Sequence, residues 1–213
     1  MADKIKLDII SDVVCPWCII GYKRLEEAIN ELGIADKVEI EWQPFELNPQ
    51  MPAEGENLRE HVLRKYGSNR EDSERARTNI KVLGAEHDFS FNYSEDMRMV
   101  NTFDAHMLLD LAHEQGLQHQ LKQRLFAAFF SEHKDVSDRQ VLLAEAGSVG
   151  IEADTSVFED ESRTVKIRSL EQQWRQLGIE GVPTVIINRE SAITGAHPVE
   201  NYKQVLSQVL EAN

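Results

Sequence analysis

The stretch "DVVCPWCIIG", residues 12–21, holds both cysteines of a 213-residue chain, Cys15 and Cys18, separated by Pro16 and Trp17. Two thiols at this spacing suit a buried apolar pair, half of a metal site or a redox couple, and the flanking sequence separates the three. A zinc site needs about four ligands, usually from two pairs of residues. No second cysteine pair exists, and the seven histidines (His61, His87, His106, His113, His119, His133 and His197) fall at no ligand spacing, so they read as surface or packing residues. Free cysteines are often simply buried, but such a pair belongs on an apolar stripe, and this one lies between two kinds of element.

Upstream, Ile5, Leu7 and Ile9 alternate with Lys4, Lys6 and Asp8, the period of a strand that runs into the cysteines. Downstream, Leu25, Ala28, Ile29 and Leu32 recur at helical spacing until Gly33, which is suited to end a helix in the left-handed conformation. Pro16 suits the first helical turn, where its missing N–H is no loss. Val38, Ile40 and Trp42 alternate again and close a βαβ unit, with Cys15 at the strand-to-helix junction. A thiolate there faces unpaired backbone N–H groups and the positive end of the helix dipole, which lowers its pKa. Cys18, one turn on, is within reach of a mixed disulfide on Cys15, and burial is expected to keep its own pKa higher.

From Pro44 to Glu161 the pattern is loops and helices without a further strand. Leu58, Val62 and Leu63 mark one helix; Ile80 and Leu83, followed by Gly84, mark the end of another; Met107, Leu108, Leu111 and Ala112 mark a third; Leu121, Leu125, Phe126 and Phe129 mark a fourth. Ser137 and Gln140 form a capping-box start for a fifth. The "EDES" run at 159–162 reads as solvated surface. The tail returns to α/β grammar: a helical stripe through Ile167, Leu170, Trp174 and Leu177 stopped by Gly178, a β-branched strand in "VPTVIIN" (182–188), a partner strand over 191–195, and a last amphipathic helix after Pro198. The expected division is an α/β domain of residues 1–60 and 162–213, with 61–161 as an inserted helical subdomain packed against it.

The formal charge of −14 disfavours phosphate backbones and anionic lipid surfaces as partners. No apolar run approaches the roughly 20 residues of a spanning helix, and the opening residues lack a signal-peptide pattern, so the expected location is the cytoplasm, where thiols are held reduced. No Gly-rich dinucleotide fingerprint, P-loop, zincin motif or serine nucleophile elbow occurs. Trp42, Phe45 and Leu47 either border an active-site groove or form a strand's core face, and Phe126, Phe129 and Phe130 read as helical core.

The order strand, Cys-Pro-Trp-Cys, helix, strand, helical insertion, helix, Val-Pro, hairpin, helix resembles the DsbA-like branch of the thioredoxin superfamily. With "CPWC" followed by "IIG", "PFELNP" at 44–49 and "GVPT" at 181–184, it is most similar to the cytosolic FrnE-type oxidoreductases. The resemblance implies a thioredoxin-like fold and thiol-disulfide exchange, with Cys15 attacking and Cys18 resolving. It implies that Pro16 and Trp17 flank the substrate and tune the redox potential, and that Val182-Pro183 is a cis peptide facing the cysteines, leaving the Val182 backbone to pair with an extended substrate. An X-Pro bond is otherwise cis only about 5% of the time. It further implies protein or small thiol/disulfide substrates, no metal and no bound organic cofactor, with glutathione as a candidate co-substrate and either a monomer or a homodimer. Two other readings keep the fold. The related kappa-type glutathione transferases and hydroxychromene carboxylate isomerases typically place Ser where Cys15 stands, and a redox-independent chaperone would use the helical block alone.

Overall fold

The structure, a computed structural model, describes residues 4–212. Strand β1 (Ile5–Ser11) leads through the cysteine segment into helix α1 (Pro16–Glu31), and the chain returns as β2 (Val38–Pro44), parallel to β1 and in register from Ile5 opposite Val38 to Ser11 opposite Pro44. Next come a two-residue strand β3 (Glu56–Asn57), helices α2 (Leu58–Tyr66) and α3 (Arg70–Ala85), and a second short strand β4 (Arg98–Met99). Helices α4 (Phe103–Glu114), α5 (Gln118–Phe130) and α6 (Arg139–Ser148) complete the inserted block, and α7 (Glu161–Gln176) leads back to the sheet. Strands β5 (Thr184–Ile187) and β6 (Ser191–Thr194) form a hairpin, and α8 (Val199–Ala212) follows. The sheet order is β2-β1-β5-β6, with β5 antiparallel to β1.

Placing β1 inside the sheet buries both its faces. Ile5, Leu7 and Ile9 join the main core with α1, whereas Ile10 packs with Phe45, Trp174 and Ile186. The alternation of charged residues expected on that second face therefore ends in a buried Asp8, whose carboxylate accepts a hydrogen bond from Gln43 at 2.7 Å. At the sheet edge, the Gln118 side chain takes the place of a neighbouring strand for Trp42, accepting from its N–H at 2.9 Å and donating to its carbonyl at 3.0 Å. An open edge is thereby closed by the first residue of α5.

The insertion shares one hydrophobic core with the sheet. Met107, Leu108, Leu125 and Phe126 are fully buried in the same cluster as Leu7 and Ile19. Side chains of this kind contribute about 1.5–3 kcal/mol each on burial. Helix α2 starts at Leu58, the first residue of the expected helical stripe, where the Asn57 side chain caps it by accepting from the N–H groups of Arg59 and Glu60.

Three local expectations are corrected. The short β3–β4 ladder lies in a region expected to be free of strands; strands of two residues carry no periodicity to read. Gly84 does not end a helix: α3 continues through Ala85, and the glycine is needed because a Cβ there would lie 2.5 Å from Phe91 Cδ2. Helix α6 is capped by Asp138, which accepts from Gln140 N and Val141 N, while Ser137 turns back to Asp135. The "EDES" run lies at the surface as expected, and its Asp160 caps α7.

Candidate active site

Cys15 is the N-cap residue of α1, with extended backbone (φ −95°, ψ 111°) and Pro16 following in the first helical turn. The Cys18 N–H donates to the Cys15 carbonyl at 3.1 Å, a tight turn that folds the second thiol back toward the first. Both side chains are enclosed: Cys15 is 4% exposed and Cys18 wholly buried. Trp17, between them, is 39% exposed. Across the sheet, the Val182-Pro183 peptide is cis, and the Cys15 thiol faces the Val182 carbonyl at 3.7 Å. Pro183 is itself fixed by a hydrogen bond from Gly195 N–H to its carbonyl at 2.8 Å.

Cys15, Pro16, Trp17 and Val182 share the lining of one cavity of about 490 Å³, while Cys18 and Pro183 lie outside that lining. Leu47 lines the cavity too, and so do Phe129 and Phe130. Trp42 instead stacks near His119 and Tyr22, and Phe45 belongs to the small cluster around Ile10.

The ionisations of the two thiols depend on each other. Cys15, hydrogen-bonded to Cys18 and buried, is pushed well above the ordinary thiol range. For Cys18 burial acts upward, but the Cys15 thiol, the Ser11 hydroxyl and the Lys122 cation outweigh it and bring the group down. The lowered ionisation therefore sits on Cys18, the reverse of the expectation from helix position and burial. The Cys15 thiol is the largest downward influence on Cys18, and the Lys122 cation, supplied from α5, adds to it from outside the local sequence.

Three further residues back the thiols. Asp12 is fully buried; its Oδ2 accepts from Leu47 N–H at 2.8 Å, and its Oδ1 lies 3.4 Å from His106 Nε2. Burial pushes the Asp12 carboxyl up, but His106, Leu47 N–H and Lys122 more than offset this and hold it below its usual value. Lys122, completely buried, places its ammonium 5.2 Å from the Trp42 ring and 5.1 Å from the Phe126 ring. Burial pushes it down to about 8 against the upward pull of Cys18, Asp12 and Cys15. Sequence reasoning missed all three. Asp12 carried a signal, an acid in an otherwise apolar run before the cysteines; Lys122 and His106 lie on amphipathic helices where a charged residue is ordinarily solvated.

The glycine of "IIG" also has its reason here. A Cβ on Gly21 would lie 3.0 Å from Pro183 Cγ and 3.3 Å from Ala196 Cα, so α1 approaches the proline loop only because this position lacks a side chain.

Comparison with known proteins agrees with this architecture. The chain is 26% identical over 210 residues, 95% of its length and 96% of the relative's, to the uncharacterized protein YwbO of Bacillus subtilis (strain 168). A probable DsbA oxidoreductase from Streptomyces coelicolor superposes with a TM-score of 0.92 at 28% identity, covering 98% of this chain and 91% of that one. The cytosolic disulfide reductase DsbM from Pseudomonas aeruginosa shares the fold with a TM-score of 0.67 at 17% identity, covering 98% of this chain and 100% of that one. Residues 6–207 match the family model described as the DSBA-like thioredoxin domain, and the chain, with its thioredoxin-like α/β sheet and helical insertion, belongs to that family of thiol-disulfide oxidoreductases.

Proposed function

We propose that the protein exchanges electrons with disulfides through Cys15 and Cys18, with Cys15 as the attacking sulfur and Cys18 as the resolving one. The observation that carries this reading is a pair of enclosed thiols at a strand-to-helix junction, of which only Cys15 lines the cavity. Cys15 gives up its proton and attacks a substrate sulfur, and the mixed disulfide forms with loss of one substrate thiolate. Cys18 then loses its own proton and attacks Cys15 Sγ, releasing the second substrate thiolate and closing the intramolecular disulfide. Lys122 stabilises the Cys18 thiolate in this second step. A small cavity of about 70 Å³ lined by His106 and Lys122, separate from the cysteine cavity's lining, has room for a few waters. Val182, with its carbonyl beside Cys15, and Trp17, at the cavity wall, are the substrate-flanking groups.

In a cytoplasm poised at roughly −220 to −320 mV the pair is held as a dithiol, which favours reductase or isomerase work with glutathione restoring the reduced state. The Cys15→Ser variant tests the reading: turnover of a disulfide substrate is abolished while the circular dichroism spectrum and melting temperature stay near wild type. Retained dithiol-dependent turnover in that variant contradicts the assignment.

A further inference from the structure

The cavity beside Cys15 carries more polar chemistry than disulfide exchange needs. Its walls are largely apolar, formed by Leu58, Ile80, Tyr93, Met99, Phe129 and Phe130. At about 490 Å³ it falls in the range of sites that enclose small organic molecules. Cys15 is only 4% exposed and lines this cavity, so a substrate sulfur reaches it from there.

Set into this apolar wall are polar atoms with no hydrogen-bond partner among the described residues. His61 is 4% exposed; its Nδ1 is held by Glu56 at 2.9 Å, which leaves the opposite ring nitrogen, Nε2, unpartnered. Ser73 is 3% exposed and its hydroxyl is likewise unpartnered. The Arg77 guanidinium, fixed 5.3 Å from the Tyr93 ring, keeps an unpartnered Nη2. All three residues line the cavity. The other charges on this wall are engaged: Lys65 donates to the Leu47 carbonyl and Asn48 Oδ1, and Asp72 pairs with Arg75. The Ser68 hydroxyl, on the same lining, is unpartnered too; buried polar atoms are nearly always satisfied, and convergence of four unsatisfied ones on an apolar cavity marks a place where a ligand supplies the partners.

Resting on the redox reading above, we propose that the substrate of this site is a small aromatic disulfide bearing a carboxylate, its ring seated among Tyr93, Phe129 and Met99, its anionic group on Arg77 and Ser73, and one sulfur presented to Cys15. The Cys15 thiolate attacks that sulfur and expels one aryl thiolate. Cys18 then attacks Cys15 Sγ and expels the other. The protein dithiol loses two electrons and its two protons, and the substrate disulfide gains the electrons as two thiolates.

Three oxidants separate the contributions: 5,5′-dithiobis(2-nitrobenzoate) has rings and carboxylates, 4,4′-dithiodipyridine has rings alone, and 2-hydroxyethyl disulfide has neither. Each rate with the reduced protein is divided by the rate with dithiothreitol, giving an enhancement. The expected order is nitrobenzoate, then dithiodipyridine, then hydroxyethyl. The Arg77→Gln variant, checked for folding by circular dichroism, is expected to lower the nitrobenzoate-to-dithiodipyridine ratio of enhancements about tenfold, the equivalent of one charge-assisted hydrogen bond, and Arg77→Lys to restore part of it. A ratio unchanged in Arg77→Gln overturns the inference, as does insulin being reduced faster than all three probes. Failure of every disulfide to oxidise the wild-type dithiol overturns the redox reading itself.

Discussion

His106 Nε2 and Asp12 Oδ1 lie 3.4 Å apart with both side chains almost fully buried, Asp12 standing three residues before the cavity-facing thiol. The pair is why Asp12 stays ionised where burial alone would protonate it. Since the folded carboxyl is held below its unfolded value, the stability it contributes is full above the unfolded pKa of about 3.9 and is lost as pH falls through the folded one. Asp12→Asn keeps an acceptor for Leu47 N–H and removes the titration. Its acid unfolding curve is expected to be flatter below about pH 4 than wild type in urea titrations at stepped pH. The Asp12 charge also raises the Cys15 thiol, so the same variant shows a lower pKa for iodoacetamide alkylation of Cys15.

Lys122 trades stability for reactivity. Keeping an ammonium charged at neutral pH in a site that pushes its pKa to about 8 costs roughly 3 kcal/mol. Between about pH 8 and the unfolded lysine pKa of about 10.4, the unfolded chain binds more protons, so wild-type stability rises with pH across that window. Lys122→Met is expected to unfold at higher denaturant, by roughly 1–3 kcal/mol at pH 7, and to lose that alkaline rise. It also removes the cation that lowers Cys18, so its pH–rate curve for disulfide exchange moves to higher pH. A variant less stable than wild type with an unmoved curve contradicts this role.

Two glycines give opposite outcomes for the same change. Gly21→Ala sets a methyl 3.0 Å from Pro183 Cγ; overpacking of this kind costs about 1–3 kcal/mol, and the disulfide exchange rate falls with it as the proline loop is displaced from Cys15. Gly147, on the exposed face of α6, has nothing within 4 Å of the added atom. There alanine stabilises by about 0.5–1 kcal/mol through helix propensity. Thermal melts and exchange rates of the two variants side by side check both.

On the proposed reading Trp17 meets substrate and does not support the fold. It is 39% exposed at the cavity wall, so Trp17→Ala changes stability by less than about 0.5 kcal/mol. The expected loss is in KM for an aromatic disulfide, measured by steady-state kinetics with glutathione as reductant.

The sheet and the position of Cys15 were legible because β1, α1 and β2 are regular, long enough to show period, and joined by a proline at a helix start. What could not be read depends on distant partners. Gly21 looks like any helical glycine until Pro183 is brought against it, and Gly84 looks like a helix stop until Phe91 is. Lys122 reads as a solvated residue on α5, yet it is fully buried and adds to the lowering of the Cys18 thiol. His61, Ser73 and Arg77 belong to α2 and α3, whose patterns are mostly polar; only the fold turns them toward one cavity with Cys15.

The roles of the two thiols are tested most directly by trapping the covalent intermediate. Reduced Cys18→Ser and Cys15→Ser proteins are mixed with 2-hydroxyethyl disulfide, and the adduct is located by mass spectrometry of the digested chain. Because Cys15 opens on the cavity and Cys18 is wholly buried, Cys18→Ser is expected to accumulate a persistent adduct on Cys15 and Cys15→Ser to stay unmodified over the same time. An adduct forming on Cys18 at least as fast as on Cys15 contradicts the account.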